Sequence, residues 1–189
     1  PWLTGPKGRA LRPHKQGDLD GLCGVYSIVN ACRSLCSEID ADTSAYLFEH
    51  LVECLDLPDS APLRLVTCGI GRRQLSKLIK AAIDYVEDAY EITLAMERLP
   101  KPLRHSSRLG DLWRALAEVV TPGRVAVLGL EGREHHWTVA VAVTSHQIRL
   151  ADSGRLCVLR RNQCTVGKTT KRYSLPPSHV FIIERKGEE

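Results

Sequence analysis

The apolar residues of this 189-residue chain change their spacing once, at Thr121-Pro122-Gly123. Before that turn they recur at helical spacing; after it they alternate. Leu22, Val25, Tyr26, Ile28, Val29, Cys32, Leu35 and Cys36 spread around more than one face, which predicts a helix over 22–36 buried on most sides. Asp40 to Ser44 offers N-cap candidates for a second helix carrying Tyr46, Leu47, Leu51, Val52, Cys54 and Leu55, which ends before Pro58. Leu75, Leu78, Ile79, Ala82, Ile83 and Val86 predict a third over 72–86. Ser107 can cap a fourth, with Leu109, Leu112, Trp113, Leu116, Val119 and Val120 on its apolar side. Residues 63–68 and 90–94 read as short extended pieces, and Pro100 and Pro102 as breakers. Beyond the turn, strands are expected at 124–130, 135–144, 147–151, 156–160 and 180–183, with a polar, basic loop over 161–177. Helices first and an antiparallel sheet second is the α+β class, not an alternating parallel fold. The division that follows is an extended basic arm at 1–15 and one domain at 16–189, helical to 120 and sheet from 121. The first residue is Pro1, not Met, so the chain is expected to start at a domain boundary.

Composition excludes several classes. Hydrophobic residues at 43% and charged residues at 25% are ordinary for a globular chain. The net charge of +4 is mild, and the basic residues are not interleaved with aromatics, so dedicated nucleic-acid binding is not expected. No apolar run reaches the ~18 residues that a membrane span needs. Seven cysteines is an odd number in a chain large enough to fold without disulfides. Free thiols in a reducing, cytoplasmic compartment are therefore expected.

Position separates one thiol from the rest. Cys23 stands where the polar, glycine-containing loop from Gln16 to Gly21 becomes the first apolar helix. A helix N-terminus carries about +0.5 of a charge, which favours a thiolate. Such a nucleophile needs a base, a group to orient the base and donors for the oxyanion. Glu134-His135-His136-Trp137 supplies the base. Trp137, Val139, Val141 and Val143 share one face of the strand; His136, Thr138, Ala140 and Ala142 share the other. If the valine face is core, His136 lies on a small-residue face with space against the helix that carries Cys23, so it is preferred to His135. Asp152, ending the next strand in Ile148–Gly154, can orient the imidazole. Gln16 and the Cys23 backbone N–H are the oxyanion donors. Each has a bland alternative: two histidines at a hairpin end, an Asp-Ser-Gly turn, a surface glutamine.

Taken in order, Gln16, then Asp20-Gly-Leu-Cys-Gly-Val-Tyr-Ser-Ile-Val-Asn-Ala31, then His136-Trp-Thr-Val-Ala-Val141, then Ala151-Asp-Ser-Gly154, resemble the papain-like cysteine peptidases. The similarity is to the compact bacterial members, including papain-fold toxin and effector domains. The resemblance implies a papain-like fold, Cys23 as nucleophile, His136 as base, Asp152 as orienter and Gln16 in the oxyanion hole. It implies cleavage of a peptide or isopeptide bond through a thioester, a protein or peptide substrate, no cofactor, and delivery into a target cell for an effector. Two departures stand out. Gln16 precedes Cys23 by seven residues where the family has about six, and Gly24 replaces the aromatic residue common after the nucleophile in the animal and plant enzymes. The same three side chains also serve deamidation, transglutamination or acyl transfer, and a papain-like fold also serves as a non-catalytic binding domain.

Other motifs read as structure. Cys32, Cys36, His50 and Cys54 have ligand types at helical spacing but fit the apolar faces. Gly167-Lys168-Thr169-Thr170 resembles the end of a phosphate loop but lacks the earlier glycine and the following helix. Trp113 is expected in the core, and Trp137 either in the core or walling the site.

Overall fold

A computed structural model describes residues 21–55, 69–132, 135–154, 156–167 and 171–187. The extended piece expected at 63–68 lies outside these residues, as do Gln16 and the arm at 1–15.

Helix α1 (Cys23–Leu35) is buried around most of its circumference, at Gly24, Val25, Ile28, Val29, Ala31, Cys32 and Leu35 among others. Gly24 is there because α1 comes very close to its neighbours. A Cβ at that position would sit 3.1 Å from Leu75 Cδ1 and 3.2 Å from Ile70 Cβ. Helix α2 (Ala41–Glu53) is capped as expected: the Asp40 carboxylate accepts from the Thr43 N–H at 2.9 Å. Helix α3 (Arg72–Tyr90) runs four residues past its expected end. No breaker stands between Val86 and Tyr90, so the helix continues until Glu91 takes the left-handed conformation (φ 56°). The extended piece expected at 90–94 accordingly begins later, as strand β1 (Leu94–Arg98).

The breakers Pro100 and Pro102 open a short helical turn, α4 (Lys101–Arg104), because proline is tolerated in a first turn. Helix α5 (Leu109–Val119) begins at Arg108 without a side-chain cap. Ser107, expected to cap it, does not; the Ser106 hydroxyl instead accepts from the Arg108 N–H at 3.2 Å.

The strands are β2 (Arg124–Gly132), β3 (His136–Val143), β4 (Gln147–Ala151), β5 (Val158–Arg160), β6 (Cys164–Thr165), β7 (Tyr173–Ser174) and β8 (Val180–Arg185). The sheet has the order β1-β8-β2-β3-β4-β5, antiparallel throughout. β7 adds to β2, and β6 lies parallel to β7, so the expected loop over 161–177 contributes two short strands. β1 comes from the largely helical first part of the chain. It joins the sheet because β8 is buried from Val180 to Ile183 and has β2 on one edge only; β1 fills the other, from Leu94↔Arg185 to Arg98↔Phe181. The fold is α+β, and the helix beginning at Cys23 packs on an antiparallel sheet, the layout that the papain-like resemblance implies.

Both faces of the sheet are buried. Val125, Val127, Trp137, Val139, Phe181 and Ile183 pack with α1, α2 and α3. Ala126, Leu128, Ala140, Leu150 and Ile182 pack with Leu112, Trp113 and Leu116 of α5. Trp113 is core, as expected, with its indole N–H donating to the Thr144 carbonyl at 2.7 Å. This corrects the expectation for β3. The alternation separates two cores, and α1 covers the Trp137–Val139 face, not the Thr138–Ala140 face. His136 comes near Cys23 because both sit at ends, one of a strand and one of a helix. Among the described residues no helix is long and apolar enough to cross a membrane.

Candidate active site

Cys23 is the first residue of α1 and is half-buried. The helix start has no side-chain cap and no acid in its first turn, so its positive end is not neutralised there. β3 and β4 pair with Val139 opposite Ala151. One further step along that register sets Thr138 opposite Asp152, with His136 next on the same face of the sheet.

That placement brings His136 Nε2 to 2.5 Å from Asp152 Oδ2. The Asp152 side chain is 1% exposed and that of His136 19%. The other carboxylate oxygen, Oδ1, accepts from the Gly154 N–H at 2.8 Å and the Leu156 N–H at 2.9 Å. Asp152 is thus fixed by the Asp-Ser-Gly turn and still presents one oxygen to the ring. With Nε2 taken, Nδ1 is the ring nitrogen that remains, and the nearby Cys23 acts on the charge of the ring.

Charge follows from this geometry. Burial pushes the His136 imidazole down, but Asp152 and Cys23 together outweigh it and raise its pKa to about 10. Burial pushes the Asp152 carboxyl up; His136, the Thr138 hydroxyl and the Leu156 N–H outweigh that and hold it below the usual value. The Thr138 hydroxyl is buried without a full hydrogen bond and faces this carboxylate. At neutral pH the pair is an imidazolium held by a carboxylate. His135 is exposed and no ion pair links it to Asp152.

Cys23 and His136 open onto a cleft of about 310 Å³. Its far wall is Gly69–Arg72, its floor Gly129–Glu131, and its end His179. Trp137 is both core and wall, with its indole N–H donating to the Ile70 carbonyl at 2.7 Å. Gly129 makes the floor possible: a Cβ there would stand 2.8 Å from His179 Cβ and 2.9 Å from Trp137 Cζ3. Arg72, Gly129, Glu131 and His179 were not legible as site residues. They come from three separate segments, and the one available signal was a second histidine, next to the start of the last strand.

The remaining cysteines are of another kind. All six described cysteines are free thiols. Burial, with Cys36 beside it, pushes the Cys32 thiol up to about 12, and burial takes Cys164 to about 11. No group of three or more metal-ligating side chains occurs among the described residues. Cys54 stays on the surface of α2, with its sulfur 3.6 Å from His50 Nε2. Gln16 and Lys168–Thr170 lie outside the described residues, so the oxyanion assignment of Gln16 remains an expectation.

No protein-family profile matches the chain, and no curated protein does. Among solved structures, the Pseudomonas avirulence protein AvrPphB is similar, with a TM-score of 0.35 and 12% identity over 93% of this chain and 96% of that one. A likeness of that size carries no argument about activity.

Proposed function

We propose that this domain is a papain-like cysteine peptidase that cleaves a peptide or isopeptide bond through Cys23, His136 and Asp152. What supports the reading is the imidazole of His136, fixed at Nε2 by a buried carboxylate and acted on by Cys23, the residue that opens helix α1. A charged imidazolium beside the sulfur stabilises thiolate, the nucleophilic form. Cys23 Sγ attacks the carbonyl carbon, and the oxyanion is met by the Cys23 backbone N–H and, by expectation, the Gln16 amide. His136 then gives its proton to the leaving nitrogen as the C–N bond breaks, leaving a thioester. Water, deprotonated by His136, attacks the thioester and releases the acid and the Cys23 thiolate. Asp152 stays ionised and keeps the ring oriented through both steps. The mechanism asks for no cofactor. An effector or toxin domain acting on a protein in a reducing cytoplasm is the setting that the motif resemblance supports.

Product masses test the reaction class. A peptide mixture incubated with the protein should yield fragments that together carry one added water, and the Cys23→Ala variant should yield none. Fragments joined to an added amine would instead make it a transferase. Intact peptides that have exchanged a side-chain amide for an acid would make it a deamidase. A native protein whose Cys23 is no more reactive than its other thiols would be a binding domain.

A further inference from the structure

Three arginines gather beside the cleft around His179. Arg72 begins α3 and lines the cleft that Cys23 and His136 open onto. Arg98 ends β1; its guanidinium lies 4.0 Å over the Phe181 ring and donates to the carbonyl of Ser178, the residue before His179. Arg104 ends the α4 turn, which packs against the Pro177–His179 turn. None of the three has an acidic partner among the described residues. The carboxylate on the cleft floor, Glu131, is turned to His179 instead, with Oε1 3.5 Å from its Nδ1. Nε of Arg98 and Nε of Arg104 are buried without a hydrogen-bond partner.

This is an uncompensated charge. Burial first, then repulsion from Arg72 and Arg104, holds Arg98 below the usual arginine range. Burial lowers His179 as well, and the field of Arg72 and Arg98 adds to it against the opposing pull of Glu131. Groups that repel one another and leave buried donors unpaired cost stability unless something settles among them. A guanidinium fork is matched by a carboxylate, which it holds through two parallel N–H donors. Glu131 lines the same cleft, so a singly charged carboxylate suits the site better than a doubly charged phosphate.

We propose that the cleft beside Cys23 contains a subsite for an acidic side chain, Asp or Glu, of the peptide substrate, with Arg72 as the contact residue and Arg98 and Arg104 behind it. The proposal rests on the peptidase reading and names the substrate class of that same site. Selectivity would come from Arg72 reaching the carboxylate at the cleft and from the two inner guanidiniums adding to the field there.

Covalent probes separate this proposal from the reading beneath it. Acetyl-tripeptidyl chloromethyl ketones built on alanine, in pairs carrying Asp or Asn at one position, are incubated with the protein. Labelling of each cysteine is followed by peptide mapping and mass spectrometry. At one position the Asp probe should label Cys23 faster than the Asn probe by roughly tenfold, the size of one charge-assisted hydrogen bond. The ratio should fall towards one in Arg72→Gln and be partly restored in Arg72→Lys. Arg72 is exposed, so neither change threatens the fold. Equal rates for Asp and Asn at every position, with Cys23 labelled ahead of the other thiols, overturn the subsite and leave the thiol reading standing. A phosphoserine probe that outpaces Asp overturns the carboxylate assignment. Cys23 labelled no faster than the exposed Cys54 and Cys157 overturns the thiol reading, and the subsite with it.

Discussion

With His136 replaced by alanine, alkylation of Cys23 by iodoacetamide will become steeply dependent on pH. If the proposed ion pair forms, the rate in the native protein should be nearly level from about pH 5 to about pH 8. Without the ring that ion pair is lost, and the rate should climb about tenfold per pH unit through the same range. A stabilised thiolate is the weaker nucleophile per ion, with a Brønsted slope of about 0.4–0.5, so the two proteins will differ less near neutrality. At about pH 5 the greater thiolate fraction wins, and the native protein should react at least ~10-fold faster. Rates read at Cys23 by mass spectrometry check this. The surface thiols Cys54 and Cys157 serve as internal references. A steep profile in the native protein would show that His136 does not act on the sulfur.

The second large effect belongs to Asp152→Ala. The substitution leaves three donors without an acceptor: His136 Nε2, the Gly154 N–H and the Leu156 N–H. Breaking a buried charge pair from one side costs about 3–5 kcal/mol, and the partial exposure of His136 favours the lower figure. The cost has a pH window. His136 is raised from 6.5 to about 10 in the folded protein, so its contribution is complete below 6.5 and is lost as pH rises towards 10. Asp152 is lowered from 3.8, so its contribution is complete above 3.8 and is lost as pH falls through its folded value. Urea unfolding of the native and variant proteins should therefore differ most between 3.8 and 6.5, and the gap should narrow towards about pH 10. A constant gap over that range would mean that the pair is not ionised as described.

Why some of this was legible in the sequence and some was not follows from the range of each interaction. The helices at 23–35, 41–53 and 109–119 announce themselves through local apolar spacing, and the Asp40 cap through the residues beside it. Cys23, His136 and Asp152 could be picked out because each sits at a boundary between a loop and a regular element. The strand at 94–98 was met only at its first residue by the extended piece read at 90–94, since its reason for being a strand is the open edge of β8, more than eighty residues away. The facing of His136 was misread for a related reason. Alternation in β3 looked like core against space, but the second face is covered by α5, whose position no local pattern reports. The arginines around His179 carry no local signal, because only the sheet pairing of β1 with β8 brings Arg98 beside that turn.

All of this turns on one protonated ring. Buried carboxylate, helix-terminal thiol and imidazole act together only if His136 is charged at neutral pH. Titration of the His136 ring by nuclear magnetic resonance, with the nitrogen shifts assigned, tests that directly. The account predicts a ring that stays doubly protonated through neutrality and titrates at about 10 in the native protein. A His136 that loses its proton near the ordinary 6.5 would contradict it.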